Sequence, residues 1–248
     1  MTEITESQVH LRVSDGTSMA VFAARPVEKI TAGVLVFQEA FGVNNHIKNI
    51  CRRLAHEGYL AAAPELFHRT APEGFAGAYD NFSVLKPHLD ALTPETLMAD
   101  VRAAFEWIQS SEGTGTDNIA CVGFCMGGMV AFASNAALPI KGAVSFYGSR
   151  ILSQFMPLAK DQKAPVLLIW GGKDKSSPPD KVKQLGDDLR AAGKDFINAE
   201  FSEAEHGFNC DERSSFHPAS AEVAWGMTLA FLARHLGKTP PEFSPSHV

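Results

Sequence analysis

Short apolar runs rich in β-formers alternate with longer runs of helical period along most of this chain. That alternation narrows the possible fold more than any other feature. The strand-like runs are 33–38, 59–63, 119–124, 142–147, 166–170 and 196–201, and the helix-like runs are 45–56, 94–109, 126–137, 180–192 and 219–236. Several strand-like runs are apolar at consecutive positions, as strands covered on both faces are. Connections long enough to cross over imply an α/β fold, a mostly parallel sheet with helices on both faces. Ahead of it, 8–13 and 18–24 flank Ser14-Asp-Gly-Thr17, whose Asp-Gly pair signals the tight turn of an N-terminal hairpin. The 94–109 helix has a well-marked start, with Thr93 as N-cap, Pro94 at the first position and Glu95 in the first turn.

No repeat or interior linker divides the chain, so 1–248 reads as one domain. Two stretches fit no element. Residues 67–92 are rich in Gly, Pro, Phe and His without clear periodicity, and an irregular stretch of that length inside a compact domain reads as a lid. Residues 237–248, with Pro240, Pro241 and Pro245, read as a loose tail.

Charge excludes some functions. Lys plus Arg number 22 and Asp plus Glu 28, a net charge of −6, which argues against nucleic acid as a partner. The polar, acidic start lacks the pattern of a secretion signal, and no apolar run approaches the ~18 residues of a membrane span, so a cytoplasmic location with no membrane association is expected. The four cysteines, Cys51, Cys121, Cys125 and Cys210, are too sparse for a disulfide scaffold. No His or Cys pair has metal-ligand spacing, so neither metal nor other cofactor is expected. Oligomeric state is left open.

The chemistry centres on Gly123-Phe-Cys-Met-Gly127, which follows the apolar run at 119–122 and opens a helix. This is the nucleophile turn between strand and helix, with cysteine where serine usually stands. A side chain two residues to either side of the nucleophile would collide with neighbouring backbone, and glycine removes it. The turn also aims a helix N-terminus at the reacting centre. A G-x-C-x-G alone more often marks a buried structural thiol; the strand–turn–helix context reverses that and favours Cys125 as nucleophile. Cys121, within the strand, and Cys51, within a helix, read as core.

A thiol with an ordinary pKa near 8.5 is mostly protonated at neutral pH and needs a base. In α/β-hydrolases the chain order is nucleophile, acid, histidine. Asp174 follows the strand run at 166–170 and His206 follows the one at 196–201, so both stand where that order requires. Singly, Asp174 fits a turn residue and His206 an exposed loop histidine; the order of three residue types at three strand ends favours a triad. The backbone N–H groups of Met126 and Ala40 are the expected oxyanion donors. Glu39, in the same loop as Ala40, reads either as a solvated carboxylate or as a group that keeps the cysteine a neutral thiol until substrate arrives.

These residues sit in segments that resemble the dienelactone hydrolase (carboxymethylenebutenolidase) family of the α/β-hydrolase fold. The segments are QEAFGVN at 38–44, GYLAAAPELF at 58–67, GFCMGG at 123–128, FYG at 146–148, WGGKD at 170–174 and EHGF at 205–208. The resemblance implies hydrolysis of an enol-lactone or similar activated ester through an acyl-cysteine, with Cys125, His206 and Asp174 as the triad. It implies that Glu39 hydrogen-bonds the resting thiol, and that Phe41, Tyr147 and Phe208 line the substrate pocket. The family arginine four residues after the histidine is Cys210 here. Arg69, Arg150 and Arg213 are its possible replacements, and Arg69 is carried forward as the substrate-binding residue. The alternative reading is a non-catalytic ligand-binding or redox-sensing protein on the same scaffold, with Cys125 as the sensor thiol.

Overall fold

The computed structural model describes residues 2–111 and 118–237. Among these, eight strands form one sheet in the order β1-β2-β4-β3-β5-β6-β7-β8. They are β1 (Ile4–Arg12), β2 (Ser18–Pro26), β3 (Ala32–Phe37), β4 (Tyr59–Pro64), β5 (Ile119–Phe124), β6 (Ala143–Phe146), β7 (Val166–Gly171) and β8 (Phe196–Phe201). The expected hairpin is β1–β2, and β2 pairs antiparallel with β4. From β4 to β8 all pairing is parallel. The expected α/β architecture is therefore present, as the α/β-hydrolase fold.

The principal helices are α1 (Asn45–His56), the short α2 (Lys86–Asp90), α3 (Pro94–Ser110), α4 (Met126–Ala137), α5 (Pro179–Ala191) and α6 (Pro218–His235). Strand side chains alternate between two cores. On β5, Ile119 and Cys121 join Leu97, Val101, Val130, Leu185 and Leu189 from α3, α4 and α5. Ala120, Val122 and Phe124 join Ile47, Ile50 and Leu54 of α1 and Ala224 and Leu232 of α6 on the other face. This is why β5 reads as a continuous apolar run. Thr93 caps α3 as expected, accepting from Thr96 N–H, and Thr96 returns the bond, so the box closes on a threonine rather than a glutamate. Cys51 and Cys121 are fully buried core residues.

The 67–92 segment has more structure than its sequence suggests, with one turn of 3-10 helix at Phe82–Val84 followed by α2. Phe67, Phe75 and His88 pack ring against ring and anchor it. Gly77 N–H donates to Phe41 O at 2.9 Å, tying the segment to the loop after β3. The loose tail expected from 237 onward lies outside the described residues apart from Gly237. No described helix is long and apolar enough to cross a membrane.

Candidate active site

Parallel pairing from β4 to β8 brings the loops after β3, β5, β7 and β8 to the carboxyl edge of the sheet, where open α/β folds keep their sites. Cys125 stands on the turn from β5 to α4 with φ 54° and ψ −114°, a conformation a side chain rarely adopts. Its flanking glycines are dictated by contact. A Cβ on Gly123 would come within 1.9 Å of Gly127 O, and one on Gly127 within 2.2 Å of Phe37 O. Both obstacles are backbone. We expect Gly127→Ala to lose about 2 kcal/mol or more of stability in urea unfolding, as overpacking against a rigid neighbour does; an unchanged midpoint would show that the turn has room.

Asp174 is buried at the end of β7. Its Oδ1 accepts from Ser176 N–H at 2.8 Å, and its Oδ2 accepts from Ser177 Oγ at 3.1 Å and from His206 Nδ1 at 2.7 Å. Burial is the largest single influence and works to raise this carboxyl, but the bond and charge of His206 with the bonds from Ser176 and Ser177 together outweigh it, and the net shift is downward. His206 also meets Cys125. Burial works to lower its pKa, yet the Asp174 hydrogen bond and the Cys125 side chain beside the ring raise it to about 10. The structure thus brings Cys125, His206 and Asp174 together.

Cys125 and His206 border a cavity of about 240 Å³ with Ala40, Met126, Phe82, Leu89, Ser149, Arg150 and Ser176. Ala40 and Met126, the expected oxyanion donors, therefore face the space beside the sulfur. Met126 is the first residue of α4, where helix N–H groups lack internal partners. Phe82 and Leu89 come from the 67–92 segment, which covers the cavity as a lid would. Arg150 forms no ion pair among the described residues.

Glu39 is completely buried. Here the structure departs from expectation: Arg213, not the thiol, meets its carboxylate, with Nη1 donating to Oε1 at 3.2 Å. The other oxygen, Oε2, has no partner. Burial raises the Glu39 carboxyl and Arg213 partly offsets this. Gly207 makes room for the arginine, since a Cβ there would lie 2.1 Å from Arg213 Nη1.

Other placements also differ. Arg69 does not reach the cavity: it makes two bonds to buried Asp100, each 2.8 Å, and one to Asp15. A buried carboxylate needs a cation, and Asp100 takes this one. Phe41, Tyr147 and Phe208 do not line the cavity either. They are buried behind it, with Tyr147 packed 5.1 Å from the His206 ring and 5.6 Å from Phe208. Tyr147 packs on the imidazole, Phe208 packs on Tyr147, and Phe41 packs on Tyr79. Ser149, Ser176 and Leu89 line the cavity without any sequence signal having marked them.

Fold and cavity together define a hydrolase of the α/β-hydrolase class. The dienelactone hydrolase family model matches residues 19–236, and the chain belongs to that family. It is 37% identical over 233 residues to a Yersinia pestis protein named "Putative carboxymethylenebutenolidase", spanning 90% of this chain and 86% of that one. An Escherichia coli K12 protein of the same name is 37% identical over 238 residues, 91% of this chain and 86% of that one. Among solved structures, a "Putative Dienelactone Hydrolase" from Klebsiella pneumoniae superposes with TM-score 0.83 at 33% identity, covering 94% of this chain and 99% of that one. A dienelactone hydrolase-like phosphotriesterase from metagenomic libraries, at 20% identity and TM-score 0.80 over 94% and 98% of the two chains, shares the fold.

Proposed function

We propose that the protein hydrolyses small carboxylic esters or lactones in the cytoplasm through an acyl-cysteine intermediate. The observation that supports this is His206, bonded to buried Asp174 through Nδ1 and bordering the same cavity as Cys125, which stands on a strained turn. The active form of the Cys125–His206 pair holds one proton between sulfur and ring. Sγ attacks the carbonyl carbon, and the C=O electron pair moves to oxygen, where the N–H groups of Ala40 and Met126 receive it. The tetrahedral adduct collapses, the C–O bond to the leaving group breaks, and that oxygen takes the proton from His206. Water then gives a proton to His206 and attacks the thioester carbon. The carbon–sulfur bond breaks, releasing the acid and restoring the pair. Asp174 keeps Nδ1 as the donor and steadies the imidazolium.

The cavity admits a short acyl chain or a lactone ring, and unpaired Arg150 on its wall favours a substrate carrying a carboxylate. In this reading Glu39, now bonded to Arg213 through Oε1, exchanges between the arginine and the thiol as substrate enters. The test is an acid quench during turnover of a short activated ester, followed by mass spectrometry of the Cys125 peptide. We expect one acyl group on Cys125, with more accumulating in Asp174→Asn, where deacylation slows. Turnover with no acyl adduct on that peptide would overturn the covalent route.

A further inference from the structure

Behind the cavity, three donors from separate parts of the chain converge. Glu39 comes from the loop after β3, His46 from the first turn of α1 and Cys210 from the loop after β8. Each offers one ligand atom, and the three atoms lie within 4.8 Å of one another. Their exposures are 0%, 3% and 0%. Two of the donors are orphans: Glu39 Oε2 and His46 Nε2 have no hydrogen-bond partner. A buried polar atom without a partner costs about 1–3 kcal/mol, so two beside one thiol call for an explanation.

We infer that Glu39, His46 and Cys210 form a binding site for a thiophilic divalent cation of the zinc type. The donor set is one carboxylate oxygen, one imidazole nitrogen and one thiolate sulfur, each of which zinc accepts in tetrahedral sites. Zinc bonds of roughly 2.0–2.3 Å put tetrahedral ligands roughly 3.3–3.8 Å apart, so the present spacing needs to close by about 1 Å. His46 Nδ1 stands 3.9 Å from Asp211 Oδ1, beyond hydrogen-bond distance, and Nε2 is the nitrogen without a partner. Cys210 now donates its thiol proton to Tyr79 Oη at 3.3 Å. On binding, that proton leaves to solvent and the sulfur bonds to the metal. Arg213 keeps Oε1 of Glu39, so the metal takes the free oxygen. His46 and Asn209, the neighbour of Cys210, border a separate cavity of about 560 Å³ between α1 and α6, with the three ligand atoms buried behind it.

The site stands independently of the hydrolase reading; its effect on catalysis rests on that reading, because an occupied site holds Glu39 away from the thiol. The test uses the full chain, stripped of metal by chelation and titrated with Co²⁺ as the probe. One equivalent is expected to produce a thiolate-to-cobalt charge-transfer band, in wild type and in Cys125→Ser alike. The band should vanish in Cys210→Ser, and Zn²⁺ should displace it. His46→Gln should weaken binding at least tenfold while keeping the band at saturation, a second readout should Cys210→Ser fold poorly. No band in wild type, a band surviving Cys210→Ser, or one lost in Cys125→Ser would each overturn the site. Zn²⁺ at one equivalent should lower ester hydrolysis at least tenfold; binding that leaves the rate untouched overturns the coupling to Glu39 alone. A protein that binds Co²⁺ as described but turns over no ester leaves the site standing and removes the hydrolase reading.

Discussion

Cys125→Ala is expected to lower kcat/KM for short esters by about 10⁴-fold or more, leaving only what the oxyanion donors and binding supply. The size follows from the role: without sulfur there is no acyl-enzyme, and His206 and Asp174 have nothing to activate. The fold should be unaffected. Cys125 is only half-buried, and alanine keeps the Cβ that the strained turn already accommodates. The melting temperature should therefore move by no more than about 3 °C, which corresponds to roughly 1 kcal/mol for a chain of this size. Steady-state kinetics on a chromogenic ester, with calorimetry on the same samples, checks both halves. Full activity in a folded variant would falsify the assignment of the nucleophile.

Arg213→Ala should have the largest effect on stability, about 3–5 kcal/mol. It leaves the wholly buried Glu39 carboxylate without its cation, and removing one partner of such a pair costs far more than the pair is worth. The dependence on pH is specific. Burial already raises the Glu39 carboxyl, and without Arg213 the folded-state value rises further. A carboxyl with a raised folded-state pKa binds its proton more readily folded than unfolded. Its favourable contribution is full below the unfolded value near 4.3 and is lost as pH rises through the folded one. The variant's deficit should therefore be small in acid and reach its full size at neutral pH and above. Glu39→Gln combined with Arg213→Ala should recover most of it, because the orphaned charge is gone. Urea unfolding of the four proteins across pH measures this. A deficit independent of pH, or one that persists in the double variant, would attribute the loss to the packing of the guanidinium over Phe41 and Tyr79 instead.

The legible parts of the site share a cause. At Gly123 and Gly127 the reason for glycine is the neighbouring backbone, so the motif itself carries its geometry. Asp174 and His206 were legible because each follows a strand-like run within a few residues, and parallel strands deliver such residues to one edge. Arg69 was misread because nothing local shows that Asp100, far along the chain on α3, is buried and needs a cation. Phe41, Tyr147 and Phe208 were misread as cavity walls because adjacency to a motif does not say which way a ring turns. The lid was legible only as a gap in periodicity; its 3-10 turn and α2 are too short to leave a repeat.

What the residues alone determined is the order of strands and helices, the strained cysteine turn and the chain order of its two partners. Each of these follows from sterics and periodicity acting over a few positions. Only the folded molecule decided that Arg213, freed by Gly207 to fold back, holds Glu39, and that Glu39, His46 and Cys210 meet behind the cavity. Charge partners and donor clusters depend on which loops converge at the edge of the sheet and how deeply each group is buried, and neither is a property of any short stretch of chain.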